Sequence, residues 1–156
     1  MKNTVIFDLD GTLAIIEKRR LKAGKTVDGK ETNKMDWDVF FDPKNIKLDE
    51  PNEPVIQCAN MFYDWGYQIY IMSGRLDTTE EETIKWLEKH MVPYHELIMR
   101  PRKTWKFVPD DKLKKQMLED HLNKDEVYCV FDDRQKVVDM WRAEGLTCFQ
   151  VAPGNF

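Results

Sequence analysis

Val5-Ile6-Phe7-Asp8-Leu9-Asp10-Gly11-Thr12-Leu13 is the stretch on which the reading of this chain turns. A short apolar run ends in two carboxylates, and a glycine follows at once. Side chains two apart on a strand share a face, so Asp8 and Asp10 are expected close together at the strand's exit. Like charges held that close repel unless a cation sits near them. Mg²⁺ takes oxygen ligands and often uses one or two carboxylates plus a substrate phosphate. Gly11 permits a sharp turn that leaves the site uncovered. The stretch therefore predicts phosphoryl chemistry on a metal.

Asp-x-Asp-Gly also opens calcium loops, but those need a Glu at the twelfth position. Counted from Asp8 that position is Arg19, which excludes a calcium loop. A plain turn does not account for the apolar strand in front of the acids.

A length of 156 residues suits one domain, 1–156, with a substantial core. No apolar run approaches a membrane span. The N-terminus enters a strand with no basic lead and apolar stretch of a secretory signal. Cys58, Cys129 and Cys148 are odd in number, lack metal-ligand spacing and lie in apolar segments. They read as reduced core cysteines of a cytoplasmic protein. A net charge of −4 argues against non-specific wrapping of nucleic acid. Two basic runs stand out, Lys18, Arg19, Arg20, Lys22, Lys25 and Lys30, then Arg100, Arg102, Lys103, Lys106, Lys112, Lys114 and Lys115. Such runs are solvated surface or frame a phosphate-rich substrate.

Strand patterns at Val5–Phe7, Gln68–Met72, Leu97–Met99, Val127–Phe131 and Cys148–Val151 alternate with helical ones at Pro54–Trp65, Thr79–Met91, Asp110–Leu122 and Lys136–Glu144. Ile84, Leu87 and Met91 give the second helix an apolar stripe, and Leu113, Met117 and Leu118 give one to the third. This alternation predicts an α/β fold of right-handed βαβ units, with a parallel central sheet covered on both faces. Ligands in such sheets bind at the strands' carboxyl ends. Residues 14–51 break the pattern and read as a partly helical insertion, or small cap, after the first strand. Trp37, Phe40 and Phe41 either pack it or wall the substrate.

Three further motifs fall just after strands. Ser73-Gly74-Arg75 offers a hydroxyl, turn amides and a guanidinium, all suited to phosphate. Asp132-Asp133-Arg134 offers a further metal ligand and an acid to fix its geometry, although either Asp is equally suited to cap the next helix. A lysine is also needed to offset phosphate charge, and the helix that feeds the fourth strand carries Lys112, Lys114 and Lys115; the choice of Lys114 rests mainly on the resemblance that follows.

Taken in order, Asp8-Leu9-Asp10-Gly11-Thr12, Ser73-Gly74-Arg75, Lys114 and Asp132-Asp133 resemble the four motifs of the haloacid dehalogenase (HAD) superfamily, in its phosphatase branch. Downstream, Val130–Arg142 and Gly145–Phe156 resemble the 3′-phosphatase domain of bacteriophage-type polynucleotide kinase/phosphatase. Asp110–Lys114 is similar to that domain's lysine-bearing helix, and Arg19 falls where it also carries an arginine. The insertion departs from it around Asp36-Trp37 and Phe40-Phe41, and no Gly-rich kinase loop is present.

The resemblance implies a three-layer Rossmann-like fold and a phosphatase that works through an aspartyl-phosphate. It makes Asp8 the nucleophile and Asp10 the general acid and base. Mg²⁺ falls to Asp8, the Asp10 main-chain carbonyl and Asp132, with Asp133 helping. Ser73 and Lys114 steady the phosphoryl group. Arg19, Gly74, Arg75 and Arg134 meet substrate, and Asp110 orients Arg19 or Arg75. The implied substrate is a phosphorylated nucleotide or nucleic-acid end, most specifically a polynucleotide 3′-phosphate. A phosphatase of small nucleoside monophosphates is the competing reading. A non-catalytic end-binding module fits poorly with so complete a set of acids.

Overall fold

The computed structural model describes residues 1–27, 30–103 and 107–154. Lys106, Asn155, Phe156 and the side chain of Lys25 lie outside the described parts. The chain opens with β1 (Thr4–Phe7), β2 (Ala14–Ile15), α1 (Glu17–Ala23), β3 (Gly24–Val27), β4 (Lys30–Met35), α2 (Trp37–Phe40) and β5 (Glu50–Pro51). It continues through α3 (Glu53–Asp64), β6 (Gln68–Leu76), α4 (Glu80–Lys89), β7 (Glu96–Arg100), α5 (Asp110–His121), β8 (Val127–Asp132), α6 (Gln135–Ala143) and β9 (Cys148–Gln150).

Five strands form one parallel sheet in the order β7-β6-β1-β8-β9. Every residue of β1 is buried, as expected of a central parallel strand covered on both faces. Alternation along the strands divides the core. Val5, Phe7, Ile69, Ile71, Cys129 and Phe131 join α3, α4 and the insertion on one side. Ile6, Met72, Ile98 and Val130 join α5 and α6 on the other. Full burial of each such side chain contributes about 1.5–3 kcal/mol. The architecture is the α/β sheet with flanking helices that the sequence predicts.

Some boundaries differ. The second strand runs on to Leu76, so Ser73-Gly74-Arg75 lies within β6 rather than in a turn after it. Between Met72↔Ile98 and Leu76↔Arg100 the register shifts, because four steps on β6 match two on β7. The extra residues bulge towards the site. Helix α4 ends at Lys89 because Met91 adopts φ +53°, outside helical geometry. Met91 is 80% exposed, and Trp86 takes the inward place expected of it.

The insertion is less helical than expected. It carries the antiparallel hairpin β3–β4 beside two short helices. Its two ends meet where β2 pairs with β5, Ala14 opposite Pro51. Phe40 is buried and Phe41 half-buried, while Trp37 stays exposed. The three cysteines are free. Among the described residues no helix is long and apolar enough to cross a membrane.

Candidate active site

The four motifs meet at the carboxyl edge of the sheet. β1 delivers Asp8 and then turns sharply through Gly11, whose φ of +84° suits a residue without a Cβ. The amides of Thr12 and Ala14 close this turn on the Leu9 carbonyl. The Asp8 amide donates to the Phe131 carbonyl at 2.9 Å, which fixes the first acid against the end of β8.

Asp8 is buried, and both its oxygens are engaged. Lys114 Nζ donates to Oδ1 at 2.7 Å, and the Thr12 hydroxyl donates to Oδ2 at 3.0 Å. The same ammonium reaches Asp132 Oδ2 at 2.8 Å. Lys114 therefore does not lie on the solvated face of α5; it is buried between two acids. Burial, then the Asp132 carboxylate, pushes the Asp8 carboxyl well above its usual range, against the pull of Lys114. Burial lowers the proton affinity of Lys114, but Asp132 and Asp8 more than reverse this and raise it.

Asp132 and Asp133 are adjacent but differently placed. Asp132 accepts three bonds: from Lys114, from the Trp141 indole N–H at 3.1 Å, and from the Asp133 amide at 2.9 Å. Both carboxylate oxygens of Asp133 are buried with no hydrogen-bond partner. Burial raises the Asp133 carboxyl. Asp8, Asp132 and Asp133 each offer an oxygen within 4.8 Å of the others, and all three residues are buried. An unpaired buried carboxylate is costly. A hard divalent cation supplies the missing partner, and an all-oxygen donor set suits Mg²⁺. These residues fit such an ion. The emphasis between the adjacent acids changes from the sequence reading: Asp133 has the free oxygens, and Asp132 chiefly holds Lys114.

Asp10 lies outside that trio. Its Oδ1 accepts from Arg19 Nη2 at 2.6 Å and from Arg75 Nε at 2.8 Å. Burial alone raises its carboxyl, but the Arg19 and Arg75 guanidiniums outweigh it and hold the group at about 2. Its side chain keeps 13% of its exposure and borders the cavity. Its carboxylate is not grouped with the three acids that could share an ion, and its Oδ1 is committed to the two guanidiniums.

Both arginines are completely buried. Arg19 also donates to Asp49 Oδ1 at 2.9 Å and to the Phe40 carbonyl at 3.2 Å. Arg75 also donates to Asp49 Oδ2 at 2.7 Å and to the Thr83 hydroxyl at 3.0 Å. Their expected contact with substrate is not what the geometry offers, because their donors are spent on Asp10, Asp49 and neighbouring oxygens. Asp110 does not orient them either. It pairs with Arg134 Nη1 at 2.5 Å and with Arg100. Gly74 borders the cavity against Asp110, whose Oδ1 would lie 2.8 Å from a Cβ there. Ser73 is buried, and its oxygen accepts the Arg75 amide at 3.1 Å, which leaves its hydroxyl proton to donate.

Asp49, Trp141 and Arg100 escaped the sequence reading as site residues. Asp49 carries no motif. Trp141 looks like one more apolar residue on α6, and Arg100 like one member of a basic run.

The acids open into a cavity of about 810 Å³. Asp8, Asp10, Lys114, Asp110 and Arg134 form its polar part, and Trp37, Phe40, Phe41 and Phe107 its aromatic part. A carboxylate poised between an ammonium and a hydroxyl, beside one unpartnered acid and another carboxylate on guanidiniums, suits attack on phosphorus followed by proton transfer.

Comparison with known proteins agrees with this chemistry. A protein described as a bifunctional polynucleotide kinase/RNA ligase, from Autographa californica nuclear polyhedrosis virus, is 33% identical over 141 residues. The match takes in 88% of this chain and 17% of the viral protein. A chain of the Pnkp1/Rnl/Hen1 RNA repair complex superposes with a TM-score of 0.76 at 32% identity, covering 98% of this chain and 43% of that one. The present chain thus spans less than half the length of either relative. A haloacid dehalogenase-like hydrolase from Streptococcus pneumoniae superposes with a TM-score of 0.68 at 16% identity, over 95% of this chain and 83% of that one, and shares the fold. The family described as the phosphatase domain of polynucleotide kinase PNKP matches residues 27–156. The chain is a HAD-type phosphatase and belongs to the PNKP phosphatase-domain family.

Proposed function

We propose that this phosphatase is Mg²⁺-dependent and removes 3′-phosphates from polynucleotide ends through an aspartyl-phosphate. The observation that carries the proposal is the buried Asp8 carboxylate between Lys114 and Thr12, with the unpartnered Asp133 carboxylate beside it. Asp8 and Asp133, with Asp132 adjacent, would hold Mg²⁺, which would supply positive charge to offset that of the phosphate. An Asp8 oxygen forms a bond to phosphorus as the bond from phosphorus to the ester oxygen breaks. Lys114 and the Ser73 hydroxyl stabilise the charge spread over the phosphoryl oxygens. Asp10 gives its proton to the departing sugar oxygen. It then takes one from the water that attacks the aspartyl-phosphate, which frees Asp8 and phosphate. Arg19 and Arg75 keep Asp10 ionised at rest, and a bound phosphate beside it raises its proton affinity so that it acquires the proton it donates. Arg134, with Asp110 and Arg100, lies where a substrate phosphate or sugar enters.

The company of the relatives, a polynucleotide kinase/RNA ligase and an RNA repair complex, supports a nucleic-acid end as substrate. The free cysteines support a reducing, cytoplasmic setting. A cavity of about 810 Å³ also has room for a whole mononucleotide. The test measures phosphate release from a 3′-phosphorylated oligonucleotide against a panel of nucleoside monophosphates, with Mg²⁺ or with EDTA. Efficient release from the oligonucleotide, lost in EDTA, is expected. A strong preference for monophosphates overturns the substrate, and undiminished turnover in EDTA overturns the metal.

A further inference from the structure

We propose that Trp37 is a stacking platform for the base of the terminal nucleotide, so that the enzyme recognises an unpaired 3′ end by its last base without reading which base it is. This rests on the polynucleotide reading above and names the part of that substrate the insertion takes. Trp37 is 51% exposed yet borders the same cavity as Asp8 and Asp10. A tryptophan that fastened the insertion to the core would be buried, and Phe40 already has that place.

The indole is held ready for a ligand. It lies nearly parallel to Phe41, with centroids 5.8 Å apart and planes 21° apart. Phe40 meets it edge-on at 5.5 Å. Phe40 is itself capped by the Arg19 guanidinium, 4.3 Å from its centroid. Arg19 in turn binds Asp10. The platform is therefore tied through Phe40 and Arg19 to the group that moves the proton, and it has little freedom to lose when a base lands on it. Phe107, 90% exposed, borders the same cavity.

Beyond the terminal phosphate, charge offers no continuous track along the cavity. The cavity rim carries Asp38 and Asp111 as well as Arg134 and Lys136, and Lys136 lies 3.6 Å from Asp111. A long phosphate track needs a continuous basic groove. A single aromatic face needs only one base, and every base has a π-face. A base paired and stacked in a duplex does not present that face, so the end must be single-stranded or frayed.

The experiment compares an oligonucleotide ending in a base-bearing 3′-phosphate with one whose last nucleotide is abasic. W37A is expected to raise KM at least about fivefold on the base-bearing end, with kcat unchanged, and to leave KM on the abasic end unaltered. W37L keeps apolar contact with Phe41 without a ring and is expected to behave as W37A does, which covers the event that W37A folds poorly. W37F is expected to keep most of the affinity. Equal KM changes on both ends, or none on either, overturn the stacking role while the 3′-phosphatase reading stands. Wild-type enzyme inactive on both ends overturns that reading and this inference together.

Discussion

Asp132→Asn and Asp133→Asn, one position apart, are expected to fail in opposite ways. Asp132 accepts from Lys114, Trp141 and the Asp133 amide. An asparagine there turns its NH₂ towards at least one of these donors in either orientation and leaves the Lys114 ammonium short of a charged partner. Breaking a buried pair in this way costs about 3–5 kcal/mol. For a chain of this size, that lowers Tm by on the order of 10 °C. Asp133 accepts nothing. Its amide analogue removes a carboxylate that repels Asp8, so without metal the variant should melt at or slightly above the wild-type temperature. Added Mg²⁺ reverses the comparison. At a hundredfold excess over Kd, binding stabilises the wild type by about 2.7 kcal/mol, or roughly 5–10 °C, and Asp133→Asn should lose most of that shift along with turnover. Thermal melts in EDTA and in Mg²⁺, with phosphate release on the same samples, test both halves. Equal destabilisation of the two variants in EDTA, or a full Mg²⁺ shift in Asp133→Asn, would refute the division of labour.

Other outcomes follow from the same contacts. Asp8→Asn keeps the shape but not the charged nucleophile, and should abolish phosphate release while circular dichroism stays that of the wild type. Asp10 is held at about 2 against an ordinary 3.8. A lowered carboxyl contributes stability that is present above its unfolded pKa and lost as pH falls through the folded one, here roughly 2 kcal/mol between about pH 4 and pH 2. Denaturant titrations of Asp10→Asn should lack that part of the acid decline; a decline as steep as the wild type's would count against the arginine pairing. Gly74→Ala places a Cβ 2.8 Å from Asp110 Oδ1. It should displace Asp110 from Arg100 and Arg134 and raise KM several-fold, and an unchanged KM would show that this trio does not face substrate.

How much could be read beforehand depended on the kind of constraint. Strand alternation and the helical stripes on α5 and α6 are local and periodic, so the sheet was legible from residues such as Val5, Phe7, Leu113 and Met117. The acids at strand exits were legible because the parallel topology gathers those exits at one edge. Met91 misled, because a single left-handed residue ended α4 early and turned an apolar side chain outwards. Asp49 was silent. Its partners Arg19 and Arg75 lie 30 and 26 residues away, and no period or motif announces a contact made by a loop. For Arg19 and Arg75, composition suggests phosphate as the partner of a guanidinium, and only the fold reveals carboxylates already there.

The Asp10–Arg19–Asp49–Arg75 ring also explains why the insertion sits where it does. Buried ion pairs contribute little net stability beside well-packed apolar groups of equal volume, so stability alone is a poor reason to bury two guanidiniums completely. Position is a better one. Arg19 comes from α1, at the insertion's start, and Asp49 from the segment just before β5, at its end. Arg75 comes from the bulged part of β6. Two of these segments thus meet Asp10 Oδ1 directly through Arg19 and Arg75, and the third locks both guanidiniums in place through Asp49. Misplacing a reacting group by about 1 Å can cost a hundredfold in rate. Asp49→Asn should therefore lower kcat by about 10–100-fold on any phosphomonoester the enzyme accepts, with KM little changed. An effect on KM alone would mean that the insertion serves the substrate and leaves the proton-transfer group untouched.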